Sequence, residues 1–394
     1  MPYHRAALEA LLIDLIRIDA RNPWLIEDGP GESAIAADVA ARCRALPGVE
    51  VTVEEVVPGR PNVIARLPGW GDGPSLCLNA HLDTVGDASW PGRSMAPVVE
   101  GDRMVGLGAA DDKGHCAAVL LVLEVLARRP EPLAGDVVAA FVMDEEATSE
   151  GTQHYVASHR PDACLVVEPF GIGRAIATHQ GFGWLDLTIR GRAAHGSAPE
   201  KGIDAISRAA RVVEGLDALG RAWAAAPDPL NGATVYHAST IHGGSDYATY
   251  PAEVVLGIEI GTQPGETIAD RVRDIEAIFA DLRAELPDFE ARVDVRLDRN
   301  PFRAEGHEAL LAALDRATRS VLGAPLQVAG ENAWMDAALV QEAGIPTLSV
   351  GASAGNLHAP DEWVSLPELL AVCEILERTA VAYCGVPSST STRT

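Results

Sequence analysis

Short apolar runs alternate with helical patterns through much of this chain, and that alternation constrains its fold most. The runs at 62–67, 75–80, 136–143 and 163–167 have strand length. Between the second and third, residues 117–126 are apolar nearly all round, the pattern of a buried helix. Strands alternating with helices form a mainly parallel sheet with helices on its faces, because parallel neighbours need a long crossover. An amphipathic helix precedes them, with Leu8, Leu11, Leu12, Leu15 and Ile16 at steps of three and four. The same α/β pattern returns late in the chain, with helices at about 307–321, 336–342 and 367–382 around an apolar strand at 345–350.

The middle follows another rule. Leu185, Leu187 and Ile189 alternate, as on a strand with one buried face. A helix at about 203–219 and strands near 233–241 and 252–260 follow. Ile268, Val272, Ile275, Phe279, Leu282 and Leu286 then recur at helical spacing, and Val293, Val295 and Leu297 alternate again. Strand, helix, strand, strand, helix, strand is the order of a ferredoxin-like α+β unit. The expected organisation is one α/β domain split between 1–177 and 298–394, with a lid domain inserted at 178–297. The low-complexity tail, 387–394, is expected to be disordered.

A length of 394 residues accommodates two domains. Acidic residues outnumber basic ones by 56 to 31, a net charge of −25, which argues against nucleic acid and anionic membrane as partners. No apolar run approaches the roughly 18 residues of a membrane span. Residues 1–20 contain His4, Arg5, Glu9, Asp14 and Arg17, so they lack the apolar core of a secretory signal. The six cysteines are scattered without a Cys-x-x-Cys pair and read as buried thiols, so a cytoplasmic location is expected.

The chemistry lies where the strands end. His81 and Asp83 follow the second run, Asp144, Glu145 and Glu146 the third, and Glu168 the fourth; His358 follows the 345–350 strand across a glycine-containing loop. Asp111 and Asp112 lie between Gly108 and Gly114, just before the buried helix. In a parallel sheet the carboxyl ends of the strands share one edge, where ligands bind. These sequence-distant groups should therefore converge. So many carboxylates with two imidazoles would repel one another unless cations neutralise them, and the donor set suits zinc or a similar ion. It is too large for one ion and fits two, about 3.5–4 Å apart. Taken singly, a histidine after a strand or a Glu-Glu pair is more often structural or solvated; their gathering on one edge carries the inference. His4, His115, His154, His159, His179, His237, His242 and His307 lack such context and are expected to be structural or exposed. No nucleophile elbow, dinucleotide fingerprint or calcium loop is present.

His81-Leu82-Asp83-Thr84-Val85, Gly108 to Gly114, Asp144-Glu145-Glu146-Ala147, Val167-Glu168-Pro169 and His358-Ala359-Pro360-Asp361-Glu362 resemble the dinuclear-zinc family of acetylornithine deacetylase, succinyl-diaminopimelate desuccinylase, aminoacylase and glutamate carboxypeptidase. The stretch Gly191 to Pro199 resembles that family's lid motif, with His195 at its centre. The resemblance implies that Asp111 bridges two divalent ions, zinc or cobalt, with His81 and Glu168 on one and Glu146 and His358 on the other. It implies that Asp83 orients His81, that Glu145 is the general base, and that His195 approaches the substrate carbonyl oxygen. It also implies a cis Asp111–Asp112 peptide and a homodimer formed through the lid domain, with His195 supplied by the partner. In such a mechanism the metal lowers the pKa of a bound water towards ~7, and Glu145 moves its proton to the leaving amine.

The expected activity is removal of an acyl group from an N-acyl amino acid or related amine, with a signature nearest the acetylornithine deacetylase branch. The alternative is a carboxypeptidase or dipeptidase acting on short peptides, and a third reading is a binding protein without catalysis. Two positions depart from the family pattern: Ala248 replaces an Asn, and Gly261 replaces an Arg that can hold the substrate carboxylate. The substrate-binding residues are therefore not assigned.

Overall fold

A computed structural model describes residues 3–386; the expectation for 387–394 lies outside them. The chain divides into two compact units. The first runs to Ala177 and takes up Ala304–Val328 and the chain from Leu339 onward; the second comprises Thr178–Arg303 and Ala329–Ala338.

The first unit is built on a mixed sheet. Its strands lie in the order Glu50–Val57, Arg60–Leu67, Val137–Val142, Leu76–His81, Ala163–Val167, Thr347–Val350 and Arg174–His179. The central four are parallel, and the flanking pairs are antiparallel. Strands buried on both faces are continuous apolar runs rather than alternating ones, and Leu76–His81, Ala163–Val167 and Thr347–Val350 are buried at every position. Helix Lys113–Ala127 explains its own all-round apolarity: it packs against the Leu76–His81 strand and between helices Arg5–Arg17 and Leu366–Cys384. The Leu366–Cys384 helix begins at Ser365, whose hydroxyl accepts the Glu368 N–H.

A small second sheet places two distant loops together. In it Ala354–Gly355, Trp363–Ser365, Arg103–Val105 and Val98–Glu100 are neighbours in that order. Trp363 pairs with Val105, so the segment leading to Asp111 lies beside the segment that follows His358.

The second unit is a four-stranded antiparallel sheet, ordered Tyr236–Gly243, Glu253–Thr262, Gly181–Arg190, Glu290–Arg299. Helices Ala205–Ala224 and Ile268–Glu285 bury Val212, Leu216, Ile275 and Phe279 against Leu185, Leu187, Leu256 and Ile258. This is the ferredoxin-like arrangement read from the sequence. The unit extends beyond 297 because its last strand continues to Arg299 and a short strand, Phe302–Arg303, pairs with His179 and Thr178. Residues 329–338 join it through the Gln180 N–H to the Glu331 carbonyl and the Trp334 indole N–H to the Asn300 carbonyl.

Candidate metal centre

The parallel register aligns the strand ends. His81 is opposite Val142, and Val350 is opposite Val167, so His81, the turn after Val142 and Glu168 emerge at one level. His81 is buried, with Nε2 2.8 Å from Asp111 Oδ1 and 3.8 Å from Glu168 Oε1. His358 Nε2 is 3.3 Å from Asp111 Oδ2 and 3.1 Å from Glu146 Oε2. The two oxygens of Asp111 therefore face two imidazoles. Ligand atoms of His81, Asp111 and Glu146 lie within 4.8 Å of one another, as do those of His81, Asp112 and Glu168. The Asp111–Asp112 peptide is cis.

Asp83 is fully buried. The His81 Nδ1–H points to the Asp83 main-chain carbonyl at 3.1 Å, and the Asp83 carboxylate is 3.4 Å away. That carboxylate accepts the backbone N–H groups of Glu145 (3.1 Å) and Glu146 (3.2 Å). One acidic side chain thus holds the segment that carries the next two.

Burial pushes Glu146 up to about 7, with the Asp111 charge adding to it. Burial likewise raises Glu168, with Asp112, Asp111 and Glu145 contributing in the same direction. Burial also opposes the charge on Asp111, but the hydrogen bonds from His358 and His81 outweigh it and hold Asp111 below the usual carboxylate range. His358 is pushed up to about 11 by its bonds to Asp111 and Glu146. The carboxylates therefore demand cations, and protonated imidazoles supply them here.

The donor set fits metal ions on three counts. Glu146 Oε1 is buried with no hydrogen-bond partner, an arrangement that costs free energy unless a cation or donor occupies the space beside it. Nδ1 of His81 is engaged by Asp83, so Nε2, which faces Asp111, is the position free to exchange its proton for a metal ion. Three carboxylates with two imidazoles form the mixed oxygen and nitrogen set that zinc and its neighbours accept.

Several supporting residues were not legible in advance. His115, set aside as lacking context, is buried, with Nδ1 2.7 Å from Asp112 Oδ1 and Nε2 accepting the Ala352 N–H at 3.1 Å. Its position three residues after Asp112, on the same helical turn, was the available signal. Asp112 also accepts the His81 N–H at 3.1 Å through Oδ2, so both its oxygens are engaged. Glu362 accepts the N–H groups of Gly108, Ala110 and Asp111 at 3.1, 2.8 and 3.0 Å.

His195 belongs to the second unit and is exposed. Its Nδ1 accepts the Ser197 N–H at 3.2 Å and is 2.8 Å from the Ser197 hydroxyl, so a neutral ring carries its proton on Nε2. A Cβ at Gly261 would lie 2.7 Å from Gln180 Oε1, so a side chain there requires Gln180 to move.

The model of peptidase family M20/M25/M40 matches residues 77–382. The chain belongs to this family. Membership makes it a hydrolase of amide bonds, as the sequence motifs led one to expect. Among curated M20/M25/M40 relatives, acetylornithine deacetylase of Aliivibrio fischeri is 25% identical over 367 residues, covering 90% of this chain and 92% of the relative. N-formyl-4-amino-5-aminomethyl-2-methylpyrimidine deformylase of Bacillus subtilis is 25% identical over 378 residues, covering 86% of each. The fold is shared with a tripeptidase of Staphylococcus aureus (TM-score 0.80, 22% identity, 96% of this chain and 99% of that one). It is shared also with a dinuclear metal-binding M20 peptidase of Bacillus subtilis (TM-score 0.71, 18% identity, 96% and 97%).

Proposed function

We propose that this chain is a metal-dependent amidohydrolase that removes the acyl group from an N-acyl amino acid or a related amine. The observation that carries the reading is Asp111 set between His81 and His358, beside a buried Glu146 oxygen with no partner. His81 and Glu168 would hold one divalent ion, Glu146 and His358 the other, and Asp111 would reach both. Zinc suits these donors best, and cobalt is the natural substitute. When bound, such ions polarise the scissile carbonyl and acidify water.

The remaining work falls to side chains. Glu145 sits half-buried beside the cluster, its backbone fixed by Asp83. As general base it takes one proton from the attacking water and returns it to the amine as the C–N bond breaks, so no net proton is consumed in that step. His195, with its proton on Nε2, is suited to donate to the carbonyl oxygen as negative charge builds there. The motif and the Ser197 contact support that role.

The deacetylase and deformylase relatives support an N-acyl substrate, and the family's description as peptidases supports the second reading, a carboxypeptidase or dipeptidase. The complete donor set speaks against a binding protein without catalysis. A homodimer through the second unit is supported by its open edge strand, Tyr236–Gly243, on which Ile241 is 58% exposed. Six buried free cysteines support a reducing, cytoplasmic setting, and no helix among the described residues is long and apolar enough to cross a membrane.

The test is a screen of N-acetyl, N-succinyl and N-formyl amino acids beside dipeptides, with zinc or cobalt added. Turnover of an N-acyl amino acid that a chelator abolishes supports the proposal. Turnover of dipeptides alone establishes the second reading, and no turnover by protein loaded with two ions overturns both.

A further inference from the structure

Beneath the acidic segment lies a buried polar network that the mechanism above does not use. Arg60, on the strand Arg60–Leu67, forms a two-pronged pair with Glu32: Nε to Oε2 at 2.7 Å and Nη2 to Oε1 at 2.6 Å. The same Nη2 donates to Asp144 Oδ1 at 2.9 Å. Asn22 Nδ2 donates to that oxygen at 2.9 Å and to Asp83 Oδ2 at 2.8 Å. Glu32, Asp144, Asp83 and Asn22 are fully buried, and Arg60 is 6% exposed.

Asp144 adopts a left-handed backbone conformation (φ 70°), uncommon for a residue other than glycine. Its second oxygen accepts the Thr148 N–H at 3.1 Å and the Thr148 hydroxyl, and so closes the turn that follows. Glu145 and Glu146 are therefore held on both sides. Asp83 takes their N–H groups, and Asp144 anchors the residue before them. Asp144 Oδ1 accepts from one guanidinium and one carboxamide, while Oδ2 is satisfied within the turn by Thr148 and the Glu150 N–H. A buried carboxylate without a charged partner is strongly disfavoured, and Arg60 supplies that charge from outside the turn.

We infer that Arg60 is a positioning residue: acting through Asp144, it fixes the backbone that aims Glu145 at its proton and Glu146 at its ion. The inference rests on the amidohydrolase reading. The fork geometry matters as well as the charge. One planar guanidinium spans Glu32 and Asp144 together, which an ammonium does not reproduce. Glu32 is the outer anchor and touches none of the acidic segment.

The experiment compares Arg60→Met, Arg60→Lys and Glu32→Gln with the unaltered chain. Kinetics use the N-acetyl amino acid that the unaltered chain turns over fastest, and zinc titration of metal-depleted protein is followed by calorimetry. A misplacement of about 1 Å costs on the order of 100-fold in rate. For Arg60→Met, kcat is expected to fall about 100-fold with KM nearly unchanged, and zinc affinity about tenfold, the lower end of losses on mutating groups that support metal ligands. Arg60→Lys, which keeps the buried charge and should fold, is expected to recover stability but only part of kcat. Glu32→Gln is expected to lower the melting temperature while kcat stays near that of the unaltered chain. If Arg60→Met does not fold, Arg60→Lys decides: normal kcat and zinc affinity in that variant overturn the inference. Loss of kcat in step with melting temperature across all three variants also overturns it, by reducing Arg60 to a stabilising role. The unaltered chain, measured alongside, separates the two failures. No hydrolysis of any N-acyl amino acid by the zinc-loaded unaltered chain removes the amidohydrolase reading, whereas normal turnover by it beside a fully active Arg60→Met removes only the role of Arg60.

Discussion

The Glu362 carboxylate accepts the backbone N–H of Asp111 at 3.0 Å, across 251 residues of sequence. Together with the bonds from Ala110 and Gly108, this places one acidic side chain in a cradle of three N–H groups. Glu362 stands four residues after His358. It therefore ties the loop of one proposed ligand to the loop of another.

The Glu362→Gln variant keeps the shape of the side chain but turns an NH₂ group towards an N–H. Zinc affinity, measured by calorimetry on metal-depleted protein, is expected to fall between roughly 10- and 100-fold, the usual cost of disturbing a group that supports metal ligands. Unchanged affinity would show that the Gly108–Asp111 loop holds its shape without this brace.

The Glu145→Gln variant should separate metal binding from turnover. The Glu145 backbone contact to Asp83 survives the substitution, so metal content should be unchanged. Loss of the proton carrier is expected to lower kcat by roughly 10²–10⁴, the range of general acid–base contributions. Full activity would remove Glu145 from the role.

Acid sensitivity should report on His179 in the second unit. Its ring is buried beside Phe302, at a centroid distance of 5.1 Å, and its Nδ1–H donates to the Gln180 carbonyl at 2.9 Å. Burial pulls its pKa down from 6.5 to about 4. The unfolded chain therefore binds this proton first, and stability present above pH 6.5 is lost as pH falls through 6.5 towards about 4. The slope from one such group reaches about 1.4 kcal/mol per pH unit. Melting temperatures across this range should fall less steeply for His179→Leu than for the unaltered chain. Parallel curves would assign the acid sensitivity to other groups.

The sequence made most of this architecture legible where one physical signal dominated. The Leu76–His81 and Ala163–Val167 strands are continuous apolar runs because both faces are covered, and the helix Ile268–Glu285 kept its three-and-four spacing because one face meets the sheet. The strand Glu50–Val57 escaped notice because it pairs on one side only and is largely exposed, so its pattern is set by solvent as much as by packing. The helix Ser33–Arg44 buries Ile35, Ala36, Val39, Ala40 and Cys43; with alanines also on its other faces, the stripe stands out weakly in the sequence. In the site, His81, Glu146, Glu168 and His358 stood out because each ends or follows a strand of the same sheet, and Asp111 because it lies just before the buried helix. Arg60, Asn22 and Glu32 did not, because their partners are 28 to 122 residues away and no spacing rule connects a hydrogen bond across the fold. Glu362 lay within a motif already noticed, but only the folded loop reveals what its carboxylate accepts.

The most direct measurement is the metal content of the purified chain after equilibration with zinc and removal of excess, by elemental analysis against protein concentration. The account requires close to two ions per chain, falling towards zero when Asp111 is replaced by Ala, since that carboxylate faces both imidazoles. A chain that binds no zinc, or that retains both ions without Asp111, would contradict it.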